Sequence, residues 1–153
     1  MPKTPTSEGA PHHAREESPQ LRSARTAVES SNSSMIVTDP RQPDNPIVVV
    51  NDAFCRLTGY SKAEILGRNC RFLQGPDTHP QAKDALRDAI GAGRPGIATL
   101  MNYGKDGRSF PNCVQVLPIR NDAGEPIIFV GSQFQVTPLE TLFPMSPRWT
   151  FQE

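Results

Sequence analysis

Gly67-Arg68-Asn69-Cys70-Arg71-Phe72-Leu73-Gln74-Gly75 places a thiol, a guanidinium and a carboxamide within the five residues from Cys70 to Gln74. Read as one helical turn, residues 70–74 put Cys70 and Gln74 on one face and turn Arg71 about a quarter-turn away. Such a turn suits a large flat ligand with a remote anion, sulfur against its face and Arg71 on the charge. A lone cysteine is more often a small buried hydrophobe, and spacing alone does not separate the two readings.

On the N-terminal side, Ser61 with Glu64 three residues on has the spacing of a capping box, and Gly67 closes that short helix. Before it, Asn51 or Asp52 caps a helix through Leu57, ended by Gly59-Tyr60. Ile47-Val48-Val49-Val50 is a continuous apolar strand, Met35 to Asp39 a shorter one, and Pro40 to Pro46 a turn-rich link between them.

On the C-terminal side, His79 to Ala92 has helical periodicity, with Ala82, Ala85, Leu86, Ala89 and Ile90 as the apolar stripe. Three strands follow, Ile97–Tyr103, Ser109–Arg120 and Pro126–Val136, joined by Lys105-Asp106-Gly107 and Asn121-Asp122-Ala123-Gly124. The predicted fold is α+β, a five-stranded antiparallel sheet with short helices on one face.

Residues 35–137 make that domain. Residues 1–19, with Pro2, Pro5, Pro11 and Pro19 among polar side chains, read as a disordered tail. Residues 20–34 read as a cap helix with a thin stripe of Leu21, Ala24 and Val28, followed by a serine-rich linker. Whether that helix lies on its own domain or meets a second copy is open at this point. Residues 138–153 are a C-terminal tail in which Pro138, Pro144 and Pro147 exclude a long helix. They leave room for a turn at Leu139–Phe143, and Trp149 and Phe151 are apolar enough to pack on the domain or a partner. Both flanking segments are expected to adjoin outer strands of the sheet.

Composition narrows the function classes. The 16 Lys and Arg balance the 16 Asp and Glu, so no electrostatic footprint for nucleic acid is present. No apolar run reaches the roughly 20 residues of a membrane span and no signal-peptide pattern opens the chain, so the expectation is a cytoplasmic protein. The cysteines, Cys55, Cys70 and Cys113, form no CxxC pair, which argues against a disulfide framework or structural zinc. His12 and His13 sit in the polar tail and His79 stands alone, so no metal site is expected.

The motif GRNCRFLQG resembles the signature of the LOV (light, oxygen, voltage) domains, flavin-binding blue-light sensors of the PAS superfamily. The likeness runs from about Met35 to Val136, roughly two thirds of the chain. The resemblance implies that Cys70 bonds reversibly to flavin carbon C4a after blue light, while N5 gains a proton. It implies that Gln133 answers by exchanging its N–H for its C=O. It also implies a phosphate clamp of Arg71 and Arg87, and flavin contacts from Asn45, Asn69, Gln74, Asn102, Asn112 and Gln133.

The residues agree with these roles chemically. A flavin phosphate wants guanidinium partners, and a pyrimidine-like edge wants carboxamides, which both donate and accept. Asn102, Asn112 and Gln133 fall inside strands, where such side chains need a partner. Ile36, Thr38, Phe54, Leu73, Leu86, Leu100, Val114 and Val116 are expected as the apolar walls. Val114 stands where close relatives often carry a larger side chain, which bears on the adduct lifetime.

Only Gly75-Pro76-Asp77-Thr78 separates Gln74 from the next helix. Relatives that take FAD usually carry an insertion there, so FMN is the expected cofactor, with riboflavin or FAD as weaker occupants. A bond made in light and broken in the dark gives no net turnover, so the chain is not expected to be an enzyme.

No effector sequence accompanies the domain, which suggests a short, stand-alone LOV protein from a bacterium. Its expected output is a homodimer through the cap helix and sheet face, or an unknown protein partner in trans. The rival readings are a PAS module for another ligand or a protein, with Cys70 as core, and a flavin or thiol redox sensor.

Overall fold

The computed structural model describes residues 16–137. The possible turn at Leu139–Phe143, and Trp149 and Phe151, lie outside the described residues. So does most of the N-terminal tail.

The first helix, α1 (Pro19–Ser30), begins where its end chemistry dictates. Ser18 accepts from the Leu21 N–H at 3.1 Å, and Pro19 fills the first position, where no N–H is needed. Residues 18 and 19, expected in the tail, are therefore the start of the helix. Strands β1 (Ser34–Thr38) and β2 (Ile47–Val50) follow, then short helices α2 (Asp52–Thr58) and α3 (Lys62–Ile65). Asn51 caps α2, and Ser61 and Glu64 form the complete capping box on α3. After a 3-10 turn at Cys70–Leu73 come α4 (Pro80–Gly91), β3 (Gly96–Tyr103), β4 (Ser109–Arg120) and β5 (Pro126–Gln135).

The five strands are all antiparallel, in the order β2-β1-β5-β4-β3. The last strand in sequence is thus central, flanked by β1 and β4. The strands next to the two flanking segments, β1 and β5, are therefore interior and not outer strands as expected, while the C-terminal segment itself lies outside the described residues. Helices α2, α3 and α4 and the 3-10 turn cover one face of the sheet. That inner face buries Ile36 with Phe54, Ile65 and Leu73, and Leu86 of α4 with Leu100 and Val116.

Helix α1 takes the opposite face. Its Ala24 and Val28 pack with Val37, Val49 and Ile128, residues that alternate with the inward-facing ones. The helix therefore lies on its own domain. Its C-terminal end is clasped by Asn51, only 1% exposed. Asn51 Nδ2 donates to the carbonyls of Val28, Ser31 and Ser33 at 3.0, 3.3 and 2.7 Å, and Oδ1 accepts from Met35 and Phe54 N–H at 3.1 Å each.

On α4, Leu86 and Ala89 are buried and Ala82 and Ile90 pack beside them, but Ala85 faces solvent. The buried stripe is narrower than the apolar pattern, and α4 lies close on β3. A Cβ at Gly96 would come 2.7 Å from the Ala89 methyl, so this glycine permits the approach. Among the described residues no helix is long and apolar enough to cross a membrane, and no three His, Cys, Asp or Glu side chains cluster as a metal site.

Candidate functional site

A cavity of about 560 Å³ lies between the inner sheet face and the helices, within the ordinary range for small-molecule sites. The 3-10 turn forms part of its wall. Asn69 caps that turn, its Oδ1 accepting from Arg71 N–H at 3.0 Å. With about three residues per turn, Cys70 is eclipsed by Leu73 and not by Gln74 as an α-helical turn would have it. Gln74 is already extended and bridges to Asn102 of β3. Cys70, Leu73 and Gln74 nevertheless all line the cavity.

Cys70 is half-buried there, and it is the only one of the three cysteines on the cavity wall. Cys55 lies on α2, and Cys113 is buried on β4. Desolvation pushes the Cys70 thiol up to about 12, against smaller opposing effects of a backbone hydrogen bond and Arg71. The sulfur is therefore held as a thiol at neutral pH.

The interior end of the cavity is built by strand register. Asn102, Asn112 and Gln133 come from β3, β4 and β5 and are 3%, 0% and 5% exposed. Leu100 pairs with Asn112 and Val114 with Gln133, so the three carboxamides are diagonal neighbours on the inner face. Asn112 Nδ2 donates to Asn102 Oδ1 and to Gln133 Oε1, each at 2.9 Å. Asn112 Oδ1 is buried with no partner among the described residues. With its Oε1 committed to Asn112, Gln133 keeps its N–H₂ as the free function. The cluster thus offers the orphaned Asn112 acceptor and the Gln133 N–H donors to whatever fills the space.

Ile36, Leu73, Leu86, Leu100, Val114 and Val116 form apolar walls of the cavity, and Thr38 lines it beside them. Phe54 is a correction. It is fully buried in the core cluster that contains Ile36 and does not line the cavity. Phe129 and Gly131, which sequence reading missed, complete the β5 wall. A period of two back from Gln133 passes through both.

The outer end is charged. Arg71 grips Asp44 bidentately, Nη1 to Oδ2 at 2.7 Å and Nη2 to Oδ1 at 2.6 Å. The hydrogen bond to Asp44 raises the Arg71 pKa further, and the same bond lowers that of Asp44. Arg87 pairs with Asp84 on its own helix. Asn45 lines this end with a buried Oδ1 that has no partner among the described residues, while Asn69 Nδ2 donates to the Asp44 carbonyl at 2.8 Å. Lys83, one turn before Arg87, and Gln42 and Asp44 on the β1–β2 link were also missed. A second cleft of about 340 Å³, between α2 and the β3–β4 hairpin, contains none of the expected site residues.

These features fit a flavin mononucleotide. Its ring edge supplies an N–H for the orphaned acceptor, its ribityl hydroxyls suit Asn45, and its phosphate suits the cationic mouth.

Residues 32–138 match the PAS domain family. Blue-light-activated histidine kinase 1 of Erythrobacter litoralis is 47% identical over 110 residues, 72% of this chain and 31% of that protein. Phototropin-2 of Oryza sativa subsp. japonica is 44% identical over 113 residues, 74% of this chain and 12% of that protein. The chain thus spans less than a third of the length of these curated relatives. The light-state structure of the Aureochrome1 LOV photoreceptor superposes with a TM-score of 0.68 at 44% identity, covering 73% of this chain and 88% of that one. The Rhodobacter sphaeroides LOV protein gives 0.72 at 36% identity, covering 76% and 66%.

Proposed function

The chain belongs to the PAS superfamily as one of its LOV domains, and from that premise we propose that it is a blue-light photoreceptor that holds FMN and bonds it reversibly through Cys70. The observation that carries the reading is the placement of Cys70 on the same cavity as a buried carboxamide cluster with an unpartnered Asn112 acceptor. FMN, when bound, supplies blue-light absorption and an electrophilic ring carbon.

The protein's own residues do the rest. Cys70, kept as a thiol by burial, delivers both the sulfur and the proton. Asn102 and Asn112 orient the ring edge, and the Gln133 amide, anchored by Asn112, donates in the dark and accepts after rotation. Arg71 and Arg87, with Asn45, Asn69 and Gln74, hold the tail. Burial raises the Cys70 pKa, which lowers the thiolate fraction that thiol oxidation draws on.

For output, the stripe of α1 is already occupied by its own sheet. Among the described residues, the outer face of β3, β4 and β5 offers a surface to a second copy, with Ile97, Leu117 and Phe134 63%, 47% and 58% exposed. A homodimer through this face, altered by light, is the receiver we favour over a separate partner. Light scattering in dark and light tests it, and a monomer in both states would exclude it.

Absorption spectra before and after blue light test the central claim. Wild type, Cys55→Ala and Cys113→Ala should be yellow and bleach reversibly. Cys70→Ala should stay yellow and not bleach, and reversible bleaching in that variant would sink the assignment.

A further inference from the structure

We propose that Asp44 is the specificity-determining residue at the charged mouth, an internal carboxylate with which a ligand's phosphate must compete for Arg71. This rests on the FMN reading and says how strongly the site prefers a phosphorylated flavin to an unphosphorylated one.

The mouth carries three cations, Arg71, Lys83 and Arg87, of which Arg71 and Arg87 already face carboxylates, Asp44 and Asp84. A formal charge of only +1 therefore awaits a phosphate that carries up to two negative charges. The two carboxylates are not equivalent. Asp84 sits one turn from Arg87 on the same helix, so the two move together and the pair can part by side-chain rotation.

Asp44 comes from a different element, the β1–β2 link, and its backbone is fixed there. Its carbonyl accepts from Asn69 Nδ2 at 2.8 Å, and the next residue, Asn45, donates its N–H to the Gln42 carbonyl at 3.2 Å. Asp44 and Asn45 are consecutive left-handed residues, φ 68° and 46°. The carboxylate is thus presented to Arg71 by a shaped loop anchored on the 3-10 turn. It takes one hydrogen from each terminal nitrogen of the guanidinium, leaving the Nε N–H and the second N–H of each terminal nitrogen not engaged by Asp44.

Both partners are more than half exposed, so the pair is weak and exchangeable. A phosphate arriving at Arg71 meets an anion whose backbone is pinned beside it by the Asn69 bond. An unphosphorylated flavin is indifferent to it. Asp44 therefore compresses the affinity difference between FMN and riboflavin.

The test is dark equilibrium binding of FMN and of riboflavin to the flavin-stripped full chain, in wild type, Asp44→Asn, Arg71→Ala and the double variant. Asparagine tolerates the left-handed backbone at 44, so the loop should survive the change. Asp44→Asn should tighten FMN by about two- to fivefold, the scale of one exposed ion pair, and leave riboflavin unchanged. Adding Asp44→Asn to Arg71→Ala should recover part of the FMN loss, since a lone carboxylate no longer faces the phosphate. Weaker FMN binding by Asp44→Asn would overturn the proposal and make Asp44 a positioning residue for Arg71. Equal changes for both flavins would overturn it in favour of a role in loop shape alone. If wild type bound neither flavin, the FMN reading itself would fall, and the proposal with it.

Discussion

The two ends of the cavity solve the same problem, holding a polar ligand, in opposite ways. At the inner end three nearly inaccessible carboxamides are fixed by the register of three strands, and one acceptor is left open. At the outer end long cationic side chains stand largely in water, two of them closed on carboxylates of the same chain. Buried groups have no water to fall back on, so each missing partner is expensive. Exposed ion pairs exchange with water and salt at little cost. The difference teaches that affinity should be controlled from inside, and discrimination among flavin tails from outside.

The largest expected effect tests the inner end. Asn112→Leu removes the hub amide and leaves Asn102 and Gln133 acceptors buried without their donor. Each such group costs about 1–3 kcal/mol, so FMN and riboflavin affinity should both fall by roughly two decades, as measured by flavin fluorescence. A loss confined to FMN would break the comparison.

Next comes Gln133→Leu, which keeps an apolar wall but cannot swap donor for acceptor. The photobleach should persist. The light-dependent change in self-association, expected at the scale of about 1–3 kcal/mol for coupled sites, should shrink, as read by small-angle scattering in both states.

Arg71→Ala and Arg87→Ala should each weaken FMN by about tenfold or less, because both arginines are exposed and already paired. Riboflavin should be unaffected, and added salt should narrow the wild-type difference between the two flavins. A salt-independent loss would mean these arginines act through the fold.

Why the inner end was more legible than the outer follows from the same contrast. Asn102, Asn112 and Gln133 stand out in sequence because a carboxamide inside a strand needs a reason, and the family likeness supplied one. The capping box of Ser61 and Glu64 was legible because it is local. Asp44 and Lys83 were not, since a charged residue in a link or on a helix looks like a solvated surface until the loop is seen folded over Arg71. Phe54 was misplaced because apolar character shows burial but not whether a buried ring lines the cavity or the solid core. The 3-10 geometry of the Cys70 turn, and the central position of β5, depend on packing between distant segments. Neither leaves a periodic trace.

The smallest expected effect concerns an exposed pair remote from the cavity. The Lys105 ammonium, and then the Ser61 backbone N–H, hold Glu64 at a pKa of about 2, well below its usual 4.5. A depressed pKa stabilises the fold where the group is ionised. The contribution is present above pH 4.5 and is lost as pH falls toward 2. Glu64→Gln should therefore differ from wild type slightly at pH 6 and converge with it in acid, by urea midpoint. Solvent screening keeps the difference small.

The clasp of Asn51 on the end of α1 bears on where the domain can be cut. A chain shortened to begin after Ser30 would strip Val37, Val49 and Ile128 of their cover and take the Val28 carbonyl from Asn51. The bared strip would adjoin Ile97, Leu117 and Phe134, joining two patches into one adhesive sheet face. Such a trimmed protein should self-associate in darkness, and its dimers would counterfeit a lit state that light never produced.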